Sequence, residues 1–298
     1  MAKPGRLLTA MVTPFDASNS VDYEQAKKLA LALLASGSDG LVISGTTGES
    51  PTLSREEKLR LVKEVKAAVG DRGAVVAGSG SNNTADSLKL SQEAEKAGAD
   101  ALLLVVPYYN KPTQDGLYEH FQTIADGTKL PCILYNVPGR TVTNLAPETT
   151  IKLSKIKNIV GIKEASGNLE QIGKIIAGTE DFLVWSGEDS DTLPILSLGG
   201  YGVISVVSHL VGKQMAEMID HYSKGDVKAA ARIHLHLLPL MKVLFIVSNP
   251  SPIKYALGLA GFPVGKTRLP LVEPDEGSKA QIEKVFRQYQ IDLAKAHQ

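Results

Sequence analysis

Eight short, almost unbroken apolar runs recur along this 298-residue chain, and a longer amphipathic stretch follows each one. They are Leu7–Thr13, Gly40–Ser44, Ala74–Gly78, Ala101–Pro107, Cys132–Asn136, Ile159–Lys163, Phe182–Ser186 and Gly202–Val207. A strand that is apolar on both faces must be covered on both faces, as parallel sheets between helix layers require. Eight strand–helix alternations predict an α/β fold closed into a (β/α)8 TIM barrel rather than an open doubly wound sheet.

The intervening segments carry helix punctuation. In the second, Ser54 and Glu57 form a capping box, and Leu59, Leu61, Val62 and Val65 build an apolar face before Gly70 ends it. Further helices begin near Thr84 and near Ala146, where Pro147 takes a tolerated first-turn position. Beyond His209 no ninth strand pattern appears. Helical patterns cover Gln214–Ser223, Val227–Phe245, Pro252–Gly261 and Asp275–Lys295. The domain expectation is a barrel over 1–224 carrying the site, with a C-terminal helical extension over 225–298.

Charge excludes several partners. Lys+Arg and Asp+Glu both number 32, so no global field attracts nucleic acid or an anionic membrane. No apolar stretch approaches the about 18 residues of a membrane span. The single cysteine, Cys132, lies in an apolar run, which suits a reducing, cytoplasmic setting.

The sixth run ends in a lysine, Ile-Val-Gly-Ile-Lys163, and lysine is rarely buried unless it is paired or functional. Burial disfavours the charged form, so such an amine keeps a larger neutral fraction and can attack a ketone. Its ordinary alternative is a strand-end lysine that snorkels to solvent. In a barrel, residues just after the strands meet at one mouth. Strand two is followed by Gly45-Thr46-Thr47-Gly48-Glu49-Ser50, strand four by Tyr108-Tyr109-Asn110, strand five by Val137-Pro138-Gly139-Arg140 and strand seven by Gly187-Glu188-Asp189. Strand eight contributes Ile204-Ser205.

Hydroxyls, phenols, a guanidinium and an amine thus converge. The Gly-Thr-Thr-Gly turn offers backbone donors and hydroxyls suited to a carboxylate, although alone it is an ordinary βα turn. Tyr135 carries protons only if it faces the amine. Arg140 is either a carboxylate clamp or a surface ion pair. Gly78-Ser79-Gly80 lacks the third glycine of a dinucleotide fingerprint. His234 and His236 are two apart on a helix and face different ways, and His120, His209, His221 and His297 have no metal-ligand spacing.

From Thr13-Pro14-Phe15 to Asn249-Pro-Ser-Pro-Ile-Lys254, these motifs resemble the dihydrodipicolinate synthase family of the pyruvate-dependent class I aldolase superfamily. Gly45-Thr-Thr-Gly-Glu49 and Gly161-Ile-Lys-Glu-Ala165 are superfamily signals. Pro107-Tyr-Tyr-Asn-Lys-Pro112 and Tyr135-Asn-Val-Pro-Gly-Arg140 are more specific. The resemblance implies that Lys163 forms a Schiff base with pyruvate. It implies that Tyr135 relays protons through Thr46, with Tyr109 reaching in from a neighbouring subunit. Thr47 and the Ile204 backbone would bind pyruvate, Gly187 would line the pocket, and Arg140 would meet L-aspartate 4-semialdehyde. The expected activity belongs to lysine and diaminopimelate biosynthesis. No organic cofactor or metal is expected, because the imine is itself the electron sink. A homo-oligomer, a dimer of dimers, is the family expectation.

Two other readings stand beside this one: a sugar-acid lyase like N-acetylneuraminate lyase, and a non-catalytic small-molecule-binding barrel. Arg140 opposes the first, and the combined amine and relay oppose the second. Some relatives are inhibited by L-lysine at a site lined by two histidines and an acid. Arg55, Lys58 and Asp86 stand at the matching positions here, so weak inhibition is expected.

Overall fold

The computed structural model describes residues 4–294. Its strands are β1 (Leu7–Ala10), β2 (Gly40–Ile43), β3 (Ala74–Gly78), β4 (Ala101–Val105), β5 (Cys132–Asn136), β6 (Ile159–Glu164), β7 (Leu183–Ser186) and β8 (Gly202–Ser205). They close into a barrel in chain order, every neighbour is parallel, and β8 pairs back onto β1. Several strands are shorter than the apolar runs that announced them. The reason is that apolar continuity reports burial, and burial outlasts the ladder. Val206 and Val207 stay buried past β8, yet their amides bond the Asp189 carboxylate instead of a strand.

Strand alternation splits the apolar residues into two cores. Leu8, Val42, Val76, Ile133, Trp185 and Ile204 point inward and fill the barrel. A larger cluster lies between the strands and the surrounding helices. The helix Arg55–Val69 starts with the expected capping box, in which the Glu57 amide donates to Ser54 Oγ at 3.2 Å and the Ser54 amide donates to Glu57 Oε2 at 2.8 Å.

The helices Val227–Val243, Ser251–Leu259 and Glu276–Phe286 follow the barrel, and Leu237, Leu240, Ile253 and Leu257 join the outer cluster. Two sequence expectations change here. The helix after β8 begins at Ser208, ahead of Gln214, and a break at Val211 hides its first turn from a periodicity reading. The last helix stops at Phe286. Beyond it the chain bonds across the fold, with the Asp292 amide donating to Leu210 O and the Ala294 amide to Ser36 Oγ, both at 2.9 Å. Lys295, the expected helix end, and His297 lie outside the described residues.

His120 is buried on the helix Gln114–Asp126, with Thr84 Oγ1 at 2.9 Å from its Nδ1. Burial lowers its pKa to about 4, against roughly 6.5 for an unfolded histidine. Between those values the unfolded chain binds a proton that the fold refuses. The stability contributed by the neutral imidazole is therefore complete above pH 6.5 and is lost as pH falls towards 4. In urea unfolding, the drop in stability from pH 7 to pH 5 should be smaller in His120→Asn than in the parent, by about 2 kcal/mol. Equal drops in the two proteins would show that His120 does not carry this linkage.

Candidate active site

β6 sets the site. Its register pairs Gly161 with Ile133 and Leu183, and Lys163 with Tyr135 and Trp185, so Gly161 and Lys163 face the barrel interior with those neighbours. Ile162 faces the outer core. Gly161 is required by crowding: a Cβ there would lie 2.2 Å from Leu183 O and 2.7 Å from the Trp185 ring. The bare backbone lets the indole fill the floor beneath the amine, with Trp185 Nε1 donating to Gly5 O at 3.0 Å.

Above that floor Lys163 is 6% exposed, and its Nζ lies 4.4 Å from the centroid of the Tyr135 ring. No carboxylate is within salt-bridge distance of it among the described residues. The ring face offers the ammonium a favourable electrostatic contact. A cavity of about 270 Å³ opens beside the pair, lined by Thr46, Tyr135, Arg140, Lys58, Gly80 and Tyr108 among others. Sequence reasoning did not place Lys58, Gly80 and Ser81 on this wall: Lys58 drew notice only beside Arg55 and Asp86, and Gly80 and Ser81 lie in a βα loop that fits no motif.

Acids surround the mouth without pairing to the amine. Asp189 is wholly buried and accepts from Ser205 Oγ at 2.5 Å and from the amides of Val206 and Val207 at 3.0 and 2.9 Å. Burial raises its pKa, opposed by those bonds and by the Lys163 charge. The same bonds tie the loop after β7 to the end of β8, fixing Gly187 and Ile204 relative to each other. Gly187 is packed so closely that a Cβ would meet Ala165 Cβ at 2.6 Å. Glu188 is also raised, first by burial and then by Asp189, while Lys163 and Arg140 pull it down.

On the outer side of the β5 and β6 ends, Glu164 accepts from the Ser166 amide at 2.8 Å, from Asn136 Nδ2 at 3.2 Å and from Gln171 Nε2 at 3.3 Å. Asn136 also bonds Asn144 and the Leu145 amide, at 2.8 and 3.0 Å. This network anchors both ends of the segment that presents Arg140. That segment is one helical turn, Pro138–Thr141. Arg140 itself is exposed and lines the cavity. The signal for Glu164 was present in the quoted Lys-Glu pair, but an acid beside a reactive lysine reads as its counter-ion, whereas alternation sends it to the opposite face.

The remaining candidates divide. Thr46 lines the cavity, while Thr47 is 3% exposed and receives a hydrogen bond from Asn249 Nδ2 at 2.9 Å. Glu49 is buried against Lys254 Nζ at 2.6 Å and the Arg268 amide at 2.8 Å. Ile204 belongs to the inner core with Tyr135. Tyr109 stands apart, 88% exposed at φ +74°. Cys132 is buried, its thiol pushed up to about 12 by burial. Among the described residues no group of three His, Cys, Asp or Glu could hold a metal ion, and no helix is long and apolar enough to cross a membrane.

A model of the dihydrodipicolinate synthetase family matches residues 3–289. The chain belongs to that family. A 4-hydroxy-tetrahydrodipicolinate synthase of Dehalococcoides mccartyi is 61% identical over 98% of this chain and 99% of its own length. The protein of the same name from Bacillus subtilis is 56% identical over 93% and 97%. Among solved structures, a dihydrodipicolinate synthase of Bacillus anthracis superposes with a TM-score of 0.95 at 43% identity, covering 97% of this chain and all of its own. The Cyanidioschyzon merolae enzyme, solved with lysine bound, gives 0.94 at 46%, covering 95% and 97%. The barrel and the family expected from the sequence are both borne out, and family membership makes the chain a lyase of the class I aldolase type.

The Glu164 network yields a test. Glu164→Gln would set an amide NH2 against groups that are all donors: the Ser166 amide, Asn136 Nδ2 and Gln171 Nε2. A buried clash of donors should cost about 1–3 kcal/mol in chemical unfolding. An unchanged midpoint would show that the carboxylate is dispensable there.

Proposed function

We infer that this chain is a 4-hydroxy-tetrahydrodipicolinate synthase that joins pyruvate to L-aspartate 4-semialdehyde through an imine on Lys163. The observation that carries the reading is the buried Lys163 amine, held against the ring of Tyr135, which itself lines a cavity together with Thr46 and Arg140. The amine adds to the ketone of pyruvate and water leaves. Loss of a methyl proton then gives an enamine whose carbon attacks the aldehyde. Tyr135 and Thr46 are the relay for these protons, and the Thr47 hydroxyl and the Ile204 backbone hold the pyruvate carboxylate beside Gly187. Arg140 takes the carboxylate of the semialdehyde, a fit that a polyol substrate would not exploit.

Tyr109 is proposed to complete the relay in a neighbouring subunit, within a dimer of dimers. An aromatic ring left 88% exposed supports a partner-facing role over an internal one. A buried, unpaired thiol suits a cytoplasmic setting.

Borohydride reduction in the presence of pyruvate should leave one adduct, mapped by mass spectrometry to Lys163 and absent in Lys163→Ala. In the same series, Tyr135→Phe and Thr46→Val should lower turnover about 10²-fold or more. Arg140→Ala should raise the KM for the semialdehyde far more than that for pyruvate. An adduct on a different lysine would overturn the mechanism.

Regulation by L-lysine is expected to be weak. The Arg55 guanidinium is paired with Glu93, and Lys58 lines the cavity wall as a second cation beside Arg140. Burial, and then the Arg55 charge, lower the pKa of Lys58, both signs that a further ammonium is unwelcome there. Millimolar L-lysine should barely slow the condensation, and half-inhibition well below a millimolar would contradict this.

A further inference from the structure

The Thr-Thr turn after β2 is held from outside the barrel. Thr13 Oγ1 donates to Gly48 O at 2.6 Å, and Glu49 is clamped by Lys254 and the Arg268 amide. The contact closest to the chemistry comes from Asn249, just ahead of the helix Ser251–Leu259. Its Nδ2 donates to Thr47 Oγ1 at 2.9 Å, although the two residues are 202 apart in sequence. Both are buried, at 4% and 3% exposure, and Asn249 Oδ1 has no hydrogen-bond partner among the described residues.

The geometry points to Asn249 as a positioning residue that turns the Thr47 hydroxyl into a donor for the pyruvate carboxylate. A hydroxyl has one hydrogen and two lone pairs. When Nδ2 fills a lone pair, the Oγ–H no longer has a partner on that side and is left to point at an anion. The reverse arrangement, with Thr47 donating to Oδ1, would consume the hydrogen and turn lone pairs towards a carboxylate. It would also bury an unpartnered NH2, a costlier orphan than a carbonyl oxygen with no donor. Asn249 touches no substrate in this account. Its effect passes through one proton on Thr47, and it rests on the pyruvate-binding role proposed above for that residue.

The test is a cycle on the intact enzyme. Asn249→Leu, nearly isosteric, should raise the pyruvate concentration for half-maximal rate about 10-fold or more, in keeping with a lost hydrogen bond to a charged group. Turnover at saturating pyruvate and the KM for the semialdehyde should change less than about threefold. Asn249→Asp, which can only accept when ionised, should be worse than Asn249→Leu. In a Thr47→Val background, Asn249→Leu should add less than about twofold, because no hydroxyl remains to be oriented. A purely structural role predicts the full penalty in both backgrounds, together with a lowered melting temperature that tracks it, and that result would overturn the inference. The adduct on Lys163 is scored in parallel. If the parent forms it while Asn249→Leu keeps the parental pyruvate dependence, the positioning role fails and the synthase reading stands. If the parent forms none, the synthase reading itself fails.

Discussion

The pairing of β5 with β6 decides whether this barrel has an amine at its centre. Cys132 faces Ile159, and a one-residue irregularity follows before Ile133 meets Gly161. Without that shift Tyr135 would stand opposite Ile162, and Lys163 would no longer share its face. With it, the phenol ring and the ammonium lie side by side and both turn inward. The outer ends of the same strands are then locked by the Asn136–Glu164 contact, which carries the Arg140 segment with it.

Charge in the mouth is managed by hydrogen bonds instead of ion pairs. Asp189 is satisfied by two backbone amides and a serine hydroxyl, and Glu164 by an amide and two side-chain amides. Each carboxylate thereby avoids the cost of an unsatisfied buried acceptor. Neither sits within salt-bridge distance of Lys163, so neither engages the amine in an ion pair.

Much of this was legible in the linear sequence. Continuous apolar runs followed by amphipathic ones gave the barrel, because both burial and periodicity are local properties. Lys163 stood out because a charged residue ending such a run is a local contradiction. The partners that complete the site were not legible in the same way. Asn249 meets Thr47 across 202 residues, and Lys254 reaches Glu49 from the same remote segment. Glu164 shared a motif with Lys163, yet its function depends on facing Gln171 and Asn136, which only the register reveals. The last helix was overextended for a related reason: after Phe286 the backbone bonds to Ser36 and Leu210, partners that no window of neighbouring residues contains.

Those remote contacts also explain why the C-terminal helices stay with the barrel. Lys254 is wedged between the Glu49 carboxylate, the Lys266 carbonyl and the face of Phe15, and Arg268 covers the same ring while pairing with Glu57. A buried ion pair of this kind contributes little net stability over an apolar substitute, yet losing one partner strands the other. Its value here is directional. It fixes where the turn after β2 sits relative to β6, and so where Thr46 and Thr47 stand relative to the Lys163 amine. The barrel alone sets the height of each strand end. The segment from Asn249 to Arg268 then holds the turn itself, through Asn249 on the Thr47 hydroxyl and through Lys254 and Arg268 on Glu49, contacts that the strands themselves do not supply.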